Sequence, residues 1–390
     1  MYLLHIWEKV NHLCGAKNFM KIILTPDKFR GSLTAAEVCA AMREGIRQVI
    51  PGAEIISIPM ADGGEGTAEI LTLNAGGQMQ TVEVLDPLGR AIKAVFGLAN
   101  QTAYVETAAA SGLRLLKKEE YNPLKASTRG TGQLIKTAIE KGAKYLILGI
   151  GGSATTDAGI GMAAALGWRF LDINQQEIVA NGENLSRIEQ IIPPETGTPP
   201  VQIEVACDVN APLFGPNGAA YVYAPQKGAT LKMVKQLDDG LRHLAHIIER
   251  DFGRNLAQTP GAGAAGGLGF GAMFFLNATL KEGVKMVMEQ THFAEHLQDA
   301  NLVLTGEGKM DEQTLQGKLI AGIARSANAQ NIPVIALCGA LLLSPPEIKQ
   351  LGLSYATSIL PRPMTLNEAM SYAHIGVRDS TALVVRLLMG

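Results

Sequence analysis

The stretch KYLILGIGGSATTDAGIGMAAALGW, residues 144–168, carries the pattern that decides the fold. Its apolar start KYLIL predicts a buried strand, and MAAALGW predicts a helix. Between them lies GIGGSATTDAGIG, residues 149–161, with five glycines, three hydroxyl side chains and one carboxylate. Glycine loses the most backbone entropy on folding, so this cluster indicates either a tight turn or a close approach of the backbone to a ligand. The strand–loop–helix order predicts an α/β protein if the rest of the chain repeats it.

Strand-like and helix-like segments do alternate from Met20 onward. KIILTP (21–26) and EIISIPM (54–60) predict short strands. Residues 34–50 between them have helical spacing, with Thr34 and Glu37 in the pattern of a capping box. GEGTAEILTLNAGG (64–77) then predicts a helix that ends at Gly76. This βαβα order predicts a parallel sheet with helices on both faces.

The middle of the chain has a different character. Residues 81–108 predict three antiparallel strands joined by short turns, one of them DPLG (86–89). Strand-like runs follow at KYLILGIGG, IEVACDV and YVYAPQKG. The alternation returns with NLVLTGEG (301–308), a helix over 314–330, PVIALCG and a last helix over 366–388.

We therefore predict an α/β fold with two different α/β domains. A Rossmann-like parallel-sheet domain is built from both chain ends, residues 20–80 and 285–390, and a mixed α/β domain, residues 81–284, is inserted into it. The segment MKIILTPDKF has the form of a protein that begins with its first strand. We interpret residues 1–19 as an N-terminal extension, with a docked extra helix as the alternative.

Composition excludes several classes of protein. Hydrophobic residues make up 47% of the chain, charged residues 18%, and the net charge is −2, which disfavours nucleic acid as a partner. No apolar run reaches about 18 residues, so no membrane span is expected. The four cysteines are far apart and form no CxxC pair, which disfavours a zinc site or a disulfide framework and predicts a cytoplasmic protein. A homodimer is the assembly that we consider.

Polar residues cluster where predicted strands end, which is where open α/β sheets bind ligands. In the first domain they are Asp27, Lys28, Arg30 and Ser32; Asp62, Gly63, Gly64, Glu65 and Thr67; and Gly306, Glu307 and Gln313, with Lys318 beyond. In the inserted domain they are Glu106 and Ser111; Thr128, Arg129 and Gly130; Gly151, Gly152, Ser153, Thr155, Thr156 and Asp157; and Asp208 with Asn210. Any one loop also fits a polar turn with a helix N-cap, but together they predict a binding site.

These side chains are typical of phosphoryl transfer. Glycine-rich loops at helix N-termini offer backbone N–H groups to a phosphate or carboxylate. Carboxylates without matching histidines or cysteines suit Mg²⁺, a hard ion with oxygen ligands. Isolated basic residues suit a small anion and the oxygens of a transferring phosphate, and here they are Lys28, Arg30, Arg129 and Lys318. Anion cradle, metal ligands and basic residues together match what phosphoryl transfer needs.

Two other motifs have weak support. GAGAAG (261–266) matches the GxGxxG pattern of dinucleotide-binding proteins, but it does not follow a strand, and a glycine-rich loop is the better interpretation. HFAEH (292–296) matches a zinc-peptidase pattern but lacks an evident third ligand. The pattern GxxxxGK[ST] of P-loop proteins is absent.

Nine motifs, in this order along the chain, resemble those of the bacterial glycerate kinase family with the glycerate-kinase-I fold: PDKFRGSLTA, MADGGEGT, DPLGR, TRGTGQLI, GIGGSATTDAG, CDVNAPLFGPNGAA, PQKGA, GAAGGLG and TGEGKMDEQT. The resemblance covers about residues 20–385. It implies an active site in the cleft between two α/β domains and phosphorylation of D-glycerate that depends on ATP and Mg²⁺. It also implies 2-phospho-D-glycerate as product, in the breakdown of sugar acids and of glyoxylate-derived tartronate semialdehyde.

Three alternatives stay open beside this interpretation. The same enzyme could produce 3-phosphoglycerate, since the sequence does not fix the acceptor hydroxyl. A non-catalytic regulatory protein could use the same site to bind a sugar acid. An NAD-dependent oxidoreductase of hydroxy acids would rest on GAGAAG alone.

The resemblance also suggests roles for individual residues. Arg30 and Arg129, with Lys28, would hold the glycerate carboxylate and the transferring phosphate, and the loop 151–156 would cradle phosphate oxygens. Asp157 or Asp208 would act as the base. The same two residues, with Glu307, are the candidate Mg²⁺ ligands.

The chain departs from the family pattern at two places. The family usually reads PDSFKGS, whereas this chain reads PDKFRGS. Arg30 keeps the charge with a different donor geometry, and Lys28 adds a charge where the family has a hydroxyl. The family also usually reads CDVxNPL, whereas this chain reads CDVNAPL, so the role of Asn210 is less well supported.

Overall fold

The structure, a computed structural model, describes residues 20–389 except 62, 63, 65, 196, 198, 199, 317 and 318. The predicted extension 1–19 and four candidate site residues lie outside the described residues; the four are Asp62, Gly63, Glu65 and Lys318. The chain divides into two compact units, which are described here one at a time. Among the described residues, the first unit comprises residues 20–61 and 287–389, and the second unit comprises residues 64–286.

The described residues form the following elements. The strands are β1 (Lys21–Leu24), β2 (Glu54–Ser57), β3 (Gln78–Leu85), β4 (Ala91–Ala99), β5 (Thr102–Glu106), β6 (Tyr145–Gly149), β7 (Arg169–Leu171), β8 (Gln190–Ile192), β9 (Gln202–Ala206), β10 (Thr279–Lys281), β11 (Leu302–Met310), β12 (Val334–Leu341) and β13 (Tyr355–Ser358). The helices are α1 (Ala35–Val49), α2 (Thr67–Asn74), α3 (Ala108–Ser111), α4 (Arg129–Glu140), α5 (Ile160–Ala165), α6 (Ala219–Tyr223), α7 (Leu231–Phe252), α8 (Ala264–Phe275), α9 (Gly283–Gln290), α10 (Phe293–His296), α11 (Glu312–Gln316), α12 (Leu319–Asn328), α13 (Pro345–Gln350) and α14 (Leu366–Met389). Among these described helices, none is long and apolar enough to cross a membrane.

The first unit contains a five-stranded sheet with the order β13-β12-β11-β1-β2. All four pairings are parallel, and Ile22 of β1 pairs with Leu302 of β11 on one side and with Ile55 of β2 on the other. The apolar run Ile22–Leu24 is fully buried, as expected for a parallel strand covered on both faces. Helix α1 begins after the predicted capping box of Thr34 and Glu37. The predicted parallel sheet of the Rossmann-like domain is therefore confirmed.

The second unit contains a six-stranded mixed sheet with the order β10-β9-β6-β5-β4-β3. Strands β10, β9, β6 and β5 are mutually parallel, whereas β4 pairs antiparallel with β5, and β3 pairs antiparallel with β4. The DPLG turn lies between β3 and β4, where the Gly89 N–H donates to the Asp86 carbonyl oxygen. The predicted antiparallel segment is thus confirmed, and the parallel strands beside it make the sheet a mixed one.

Two details differ from the sequence-based expectations. Residues 221–223 of YVYAPQKG, predicted as a strand, belong to helix α6. Ala219 and Ala220 are buried side by side there while Tyr221 and Val222 are exposed, a burial pattern that does not alternate as a strand would. Helix α2 lies in the second unit, before the expected boundary at residue 80. It packs against β4 and β5, which explains its place.

Candidate active site

A cavity of about 750 Å³ lies in the first unit, where β1 and β11 end and the following loops begin. Six candidate residues from two distant segments line it: Asp27, Lys28, Arg30, Ser32, Glu307 and Gln313. Strands β1 and β11 are parallel neighbours, so their carboxyl ends meet at one edge of the sheet. The structure therefore brings the segments PDKFRGS and GEGKMDEQT together at this cavity, which we call the first-unit cavity. GEGKMDEQT was expected to be a loop, but residues 306–310 belong to β11 and residues 312–316 form α11, because the strand continues its parallel pairing with β12.

Glu307 is the most perturbed carboxylate in the first-unit cavity. Burial raises its pKa to about 7, and the charges of Asp27 and Asp311 add to the rise. A hydrogen bond from Thr314 Oγ1 to Glu307 Oε1, 2.7 Å long, and the charge of Arg30 act in the opposite direction. A carboxyl group with a pKa near neutrality, placed in a cavity beside a guanidinium, is typical of functional sites.

The second unit gathers its polar residues at the ends of three neighbouring parallel strands. Glu106 ends β5, the glycine-rich loop follows β6, and Asp208 follows β9. Gly151 and Gly152 are exposed in that loop. Four other residues of the loop are buried: Ser153, Thr155, Thr156 and Asp157. The backbone of the two glycines, rather than the hydroxyl side chains, is therefore the part of the loop that a ligand can reach.

Asp157 lies in the interior of the second unit. Its Oδ2 accepts hydrogen bonds from the backbone N–H and the hydroxyl of Thr128, both 2.8 Å long, and from the Gly161 N–H at 3.3 Å. Its Oδ1 accepts from the Gly159 N–H at 3.2 Å. The side chain is fully buried, and burial raises its pKa. These contacts join two loops and leave no accessible face, so the geometry does not suit the predicted roles of base and metal ligand.

Several other candidates also have structural contacts. Glu106 Oε1 accepts from the Gly66 and Ala68 N–H groups, at 2.9 and 2.8 Å, and so caps the N-terminus of α2. Ser111 Oγ accepts from the hydroxyl of Thr131 in the interior. The buried Thr67 hydroxyl donates to the Gly64 carbonyl oxygen over 2.6 Å.

Two candidate glycines are needed for close packing. A Cβ atom at Gly130 would lie 1.9 Å from the Leu85 carbonyl oxygen, where α4 meets β3. A Cβ atom at Gly306 would lie 2.1 Å from the Leu337 carbonyl oxygen in the neighbouring strand. Both glycines therefore have a packing reason that does not require a ligand.

Besides Gly151 and Gly152, three candidate residues of the second unit are exposed. Arg129, at the first position of α4, Asp208 and Asn210 are all exposed. Asp208 Oδ1 accepts from the Gly283 N–H at 3.2 Å, at the start of α9. An exposed guanidinium and an exposed carboxylate could each contact a charged ligand in water.

Lys227 is a functional candidate that the sequence pattern did not indicate. This lysine is 3% exposed, and its Nζ donates to Ser153 Oγ at 2.9 Å and to the Thr155 carbonyl oxygen at 2.6 Å. Burial lowers its pKa to about 7, while the charge of Asp157 acts in the opposite direction. The available signal was the motif PQKGA, in which a lysine stands before a glycine with φ of 92°.

The described residues contain no group of three or more histidine, cysteine or acidic side chains that could together hold a metal ion. Mg²⁺ does not need such a group, because one or two carboxylates with water and phosphate oxygens suffice. Asp27 and Glu307 fit that requirement. The negative charge of Asp27 raises the pKa of Glu307, and a divalent cation would replace this repulsion with attraction.

Comparison with known proteins identifies the family. A sequence model of the glycerate kinase family matches residues 22–389. The chain belongs to the glycerate kinase family. It is 45% identical over 355 residues to a glycerate kinase of Halalkalibacterium halodurans, covering 90% of this chain and 93% of that protein. It is 41% identical over 378 residues to the glycerate 2-kinase of Escherichia coli, covering 95% and 99%.

A solved structure agrees with this assignment. The crystal structure of a Salmonella typhimurium protein, provisionally named glycerate kinase 2, has a TM-score of 0.88 and 40% sequence identity. The match covers 95% of this chain and 99% of that one. The family expected from the nine motifs and the mixed α/β fold are both confirmed, and the chain is an enzyme of the kinase class.

Proposed function

We propose that this glycerate kinase family member transfers the γ-phosphoryl group of ATP to the 2-hydroxyl of D-glycerate, with Mg²⁺, and releases ADP and 2-phospho-D-glycerate. The observation that carries the proposal is the family match over residues 22–389. The Escherichia coli relative named glycerate 2-kinase supports the choice of hydroxyl. Transfer to the 3-hydroxyl is the alternative, and it would need the same groups with a different placement of the acceptor.

The transfer needs one bond to form as another breaks. The acceptor oxygen of glycerate bonds to the γ-phosphorus while the bond from that phosphorus to the β,γ-bridging oxygen breaks, and ADP leaves. The hydroxyl proton passes to a carboxylate. We assign this role to Asp208, because it is an exposed carboxylate at a strand end, whereas Asp157 is enclosed by hydrogen bonds. A carboxylate in this role accepts the proton as general base while the acceptor oxygen attacks.

The carboxylates of Asp27 and Glu307 would hold Mg²⁺ in the first-unit cavity. Both line that cavity, and the charge of Asp27 raises the pKa of Glu307. When bound, Mg²⁺ supplies neutralisation of the charge on phosphate oxygens. Asp27 is nearly buried and Glu307 accepts a hydrogen bond from Thr314 Oγ1, so both carboxylates would hold the ion in a fixed position.

Positive charge and backbone donors would hold the anions. Arg30 lines the first-unit cavity, and Arg129 is exposed at the N-terminus of α4 in the second unit. Guanidinium groups bind carboxylate and phosphate oxygens with two parallel hydrogen bonds. The exposed backbone of Gly151 and Gly152 suits an anion, either the glycerate carboxylate or phosphoryl oxygens.

The proposal is tested by ³¹P NMR of the protein with ATP, Mg²⁺ and D-glycerate over time. A growing phosphomonoester signal that matches 2-phosphoglycerate is the expected result, and a matching sample with EDTA should show none. A 3-phosphoglycerate signal would move the acceptor to the other hydroxyl. If no ester forms while glycerate still binds, the protein binds a sugar acid without catalysis and the proposal is wrong.

The cytoplasmic location and the homodimeric assembly stay predictions from the sequence.

A further inference from the structure

The first-unit cavity has two chemically different sides. One side carries the charged groups described above. The other side is apolar and is built from α12, the residues after β13 and the first turns of α14, with Ile320, Ile359, Met364, Leu366, Ala369 and Met370. Leu366 is 70% exposed, and Met364, Ala369 and Met370 are half-buried, so this side is open to a ligand.

The volume of the cavity exceeds what glycerate needs. Its approximately 750 Å³ falls in the range of roughly 300–1,000 Å³ in which pockets bury much larger organic ligands. Glycerate has three carbons, and each carries an oxygen. It has no apolar surface that would gain from contact with methionine and leucine side chains.

A nucleoside triphosphate matches both sides of the cavity. Its purine base has two flat apolar faces, which methionine side chains contact well because they are flexible and polarisable. Its phosphates suit Lys28 and Arg30 on the charged side, and the Mg²⁺ that accompanies them suits Asp27 and Glu307. The two sides therefore correspond to the two ends of one ligand.

We infer that the first-unit cavity binds ATP, with the adenine base against the apolar side formed by Met364, Leu366, Ala369 and Met370, and with the phosphates toward Lys28 and Arg30. The identity of ATP as the nucleotide rests on the proposed function. The location of the base follows from the cavity itself. Loop 28–32 is in contact with the same side, since a Cβ atom on Gly31 would lie 2.9 Å from the Met370 methyl carbon.

The test separates the contribution of the adenine base to ATP binding from the contribution of the phosphates. Binding of Mg·ATP and of magnesium tripolyphosphate is measured by calorimetry without glycerate, so that no turnover is needed. The native protein is expected to bind ATP at least about tenfold more tightly than tripolyphosphate, since burial of a base contributes on that order. Ala369→Phe fills the apolar side of the cavity. It is expected to weaken the binding of ATP about tenfold, while the affinity for tripolyphosphate changes less than about twofold.

Two further variants keep the test decisive. Ser371→Phe places the same ring at an exposed position of α14 that does not line the cavity, and it should leave ATP affinity unchanged. Leu366→Ser changes a side chain that is 70% exposed, so the variant should fold like the native protein. It should also reduce the difference between the affinity for ATP and the affinity for tripolyphosphate. Equal ATP affinity in Ala369→Phe, Leu366→Ser and native protein would overturn the inference. So would equal affinity of the native protein for ATP and tripolyphosphate.

Failure of this inference can be distinguished from failure of the proposed function. If the variants weaken ATP as expected but no phosphoglycerate forms, the base site stands and the glycerate reaction is wrong. If phosphoglycerate forms but Ala369→Phe raises the KM for D-glycerate and leaves that for ATP unchanged, the cavity binds the acid and the inference is wrong.

Discussion

Lys227 Nζ donates a hydrogen bond to Ser153 Oγ over 2.9 Å, from a buried position beneath the glycine-rich loop. A second bond, to the Thr155 carbonyl oxygen, fixes the loop backbone two residues further on. Asp157, a residue of the same loop, ties it to Thr128 by accepting hydrogen bonds from the backbone N–H and the hydroxyl of that threonine. The loop that exposes Gly151 and Gly152 is thus anchored by two buried ionisable groups.

Lys227→Met is expected to lower kcat/KM by about 100-fold, because loss of both bonds lets the loop shift and small misplacements cost that much. Methionine keeps the length and burial of the side chain but cannot donate. Steady-state kinetics with ATP and D-glycerate measures the effect. Lys232→Met, at an exposed position of α7, is the matched control and should behave like the native protein. Native-like kinetics in Lys227→Met would show that the loop does not depend on this lysine.

The lowered pKa of Lys227 also predicts how stability depends on pH. The unfolded lysine keeps its proton up to about pH 10.5, whereas the folded one loses it near 7. Between these values the unfolded chain binds more protons, so this residue makes the free energy of unfolding rise with pH. Urea unfolding of native protein and Lys227→Met at pH 7 and pH 9 measures the contribution. The native protein should gain stability relative to the variant at pH 9, and an unchanged difference would contradict the prediction.

Glu307 acts in the opposite sense in a lower pH window. Its pKa is raised from 4.5 to about 7 on folding, so the folded chain binds more protons between these values and stability is lost as pH rises. At pH 8, Glu307→Gln should therefore be more stable than the native protein, by on the order of 2 kcal/mol, since one pKa unit corresponds to 1.36 kcal/mol.

Unfolding of both proteins at pH 5 and pH 8, in EDTA, measures the effect of Glu307. Glutamine keeps an acceptor for the Thr314 hydroxyl, so the comparison isolates the charge. Glu312→Gln, at an exposed residue of α11, serves as the control and should show no such dependence. A stability difference that is the same at both pH values would refute the raised pKa.

Much of the fold could be predicted because local patterns and long-range packing agree. The strand at 21–24, the capping box at Thr34 and the last helix follow from apolar spacing and capping residues alone. Helix α6 was missed because YVY has strong strand propensity. Burial of Ala219 and Ala220 side by side overrides that propensity, and no local signal announces this packing.

The sequence predicted the kind of candidate site, but it predicted the roles of individual residues less well. Polar residues of two distant segments do converge, as Asp27 after β1 and Glu307 within β11 show. The sequence does not reveal, however, which of these side chains face the protein interior. A threonine that binds phosphate and a threonine that caps a buried loop can occur in the same sequence pattern. Thr128 and Asp157 form such an internal pair. Lys227 was missed since its partners come from a segment more than 70 residues away.

Replacement of Asp157 and of Asp208 by asparagine should separate a structural role from a catalytic role. Asp157→Asn places a donor amide among four donors and is expected to reduce the free energy of unfolding by about 3 kcal/mol. Asp208→Asn, at an exposed position, should leave stability within about 0.5 kcal/mol and lower kcat by about 100-fold or more, as loss of a general base does. Urea unfolding and initial rates are measured on both. If Asp157→Asn is stable but inactive, the buried residue is the catalytic one and the assignment of the base to Asp208 is wrong.

Alanine at two glycines of the second unit should separate packing from ligand contact. A Cβ atom at Gly130 would lie 1.9 Å from the Leu85 carbonyl oxygen, so Gly130→Ala is expected to cost about 2 kcal/mol of stability as α4 moves away from β3.

At Gly151 the nearest heavy atom to an added Cβ would be the Gly64 Cα at 3.9 Å, so Gly151→Ala should fold as well as the native protein. It is nevertheless expected to reduce kcat/KM about tenfold, because the methyl group would occupy the exposed surface where an anion approaches the loop backbone. Thermal unfolding measures the stability of both variants, and initial rates measure their activity. If Gly151→Ala keeps full activity, the exposed part of this loop does not contact the reacting groups, and its glycines serve the turn alone.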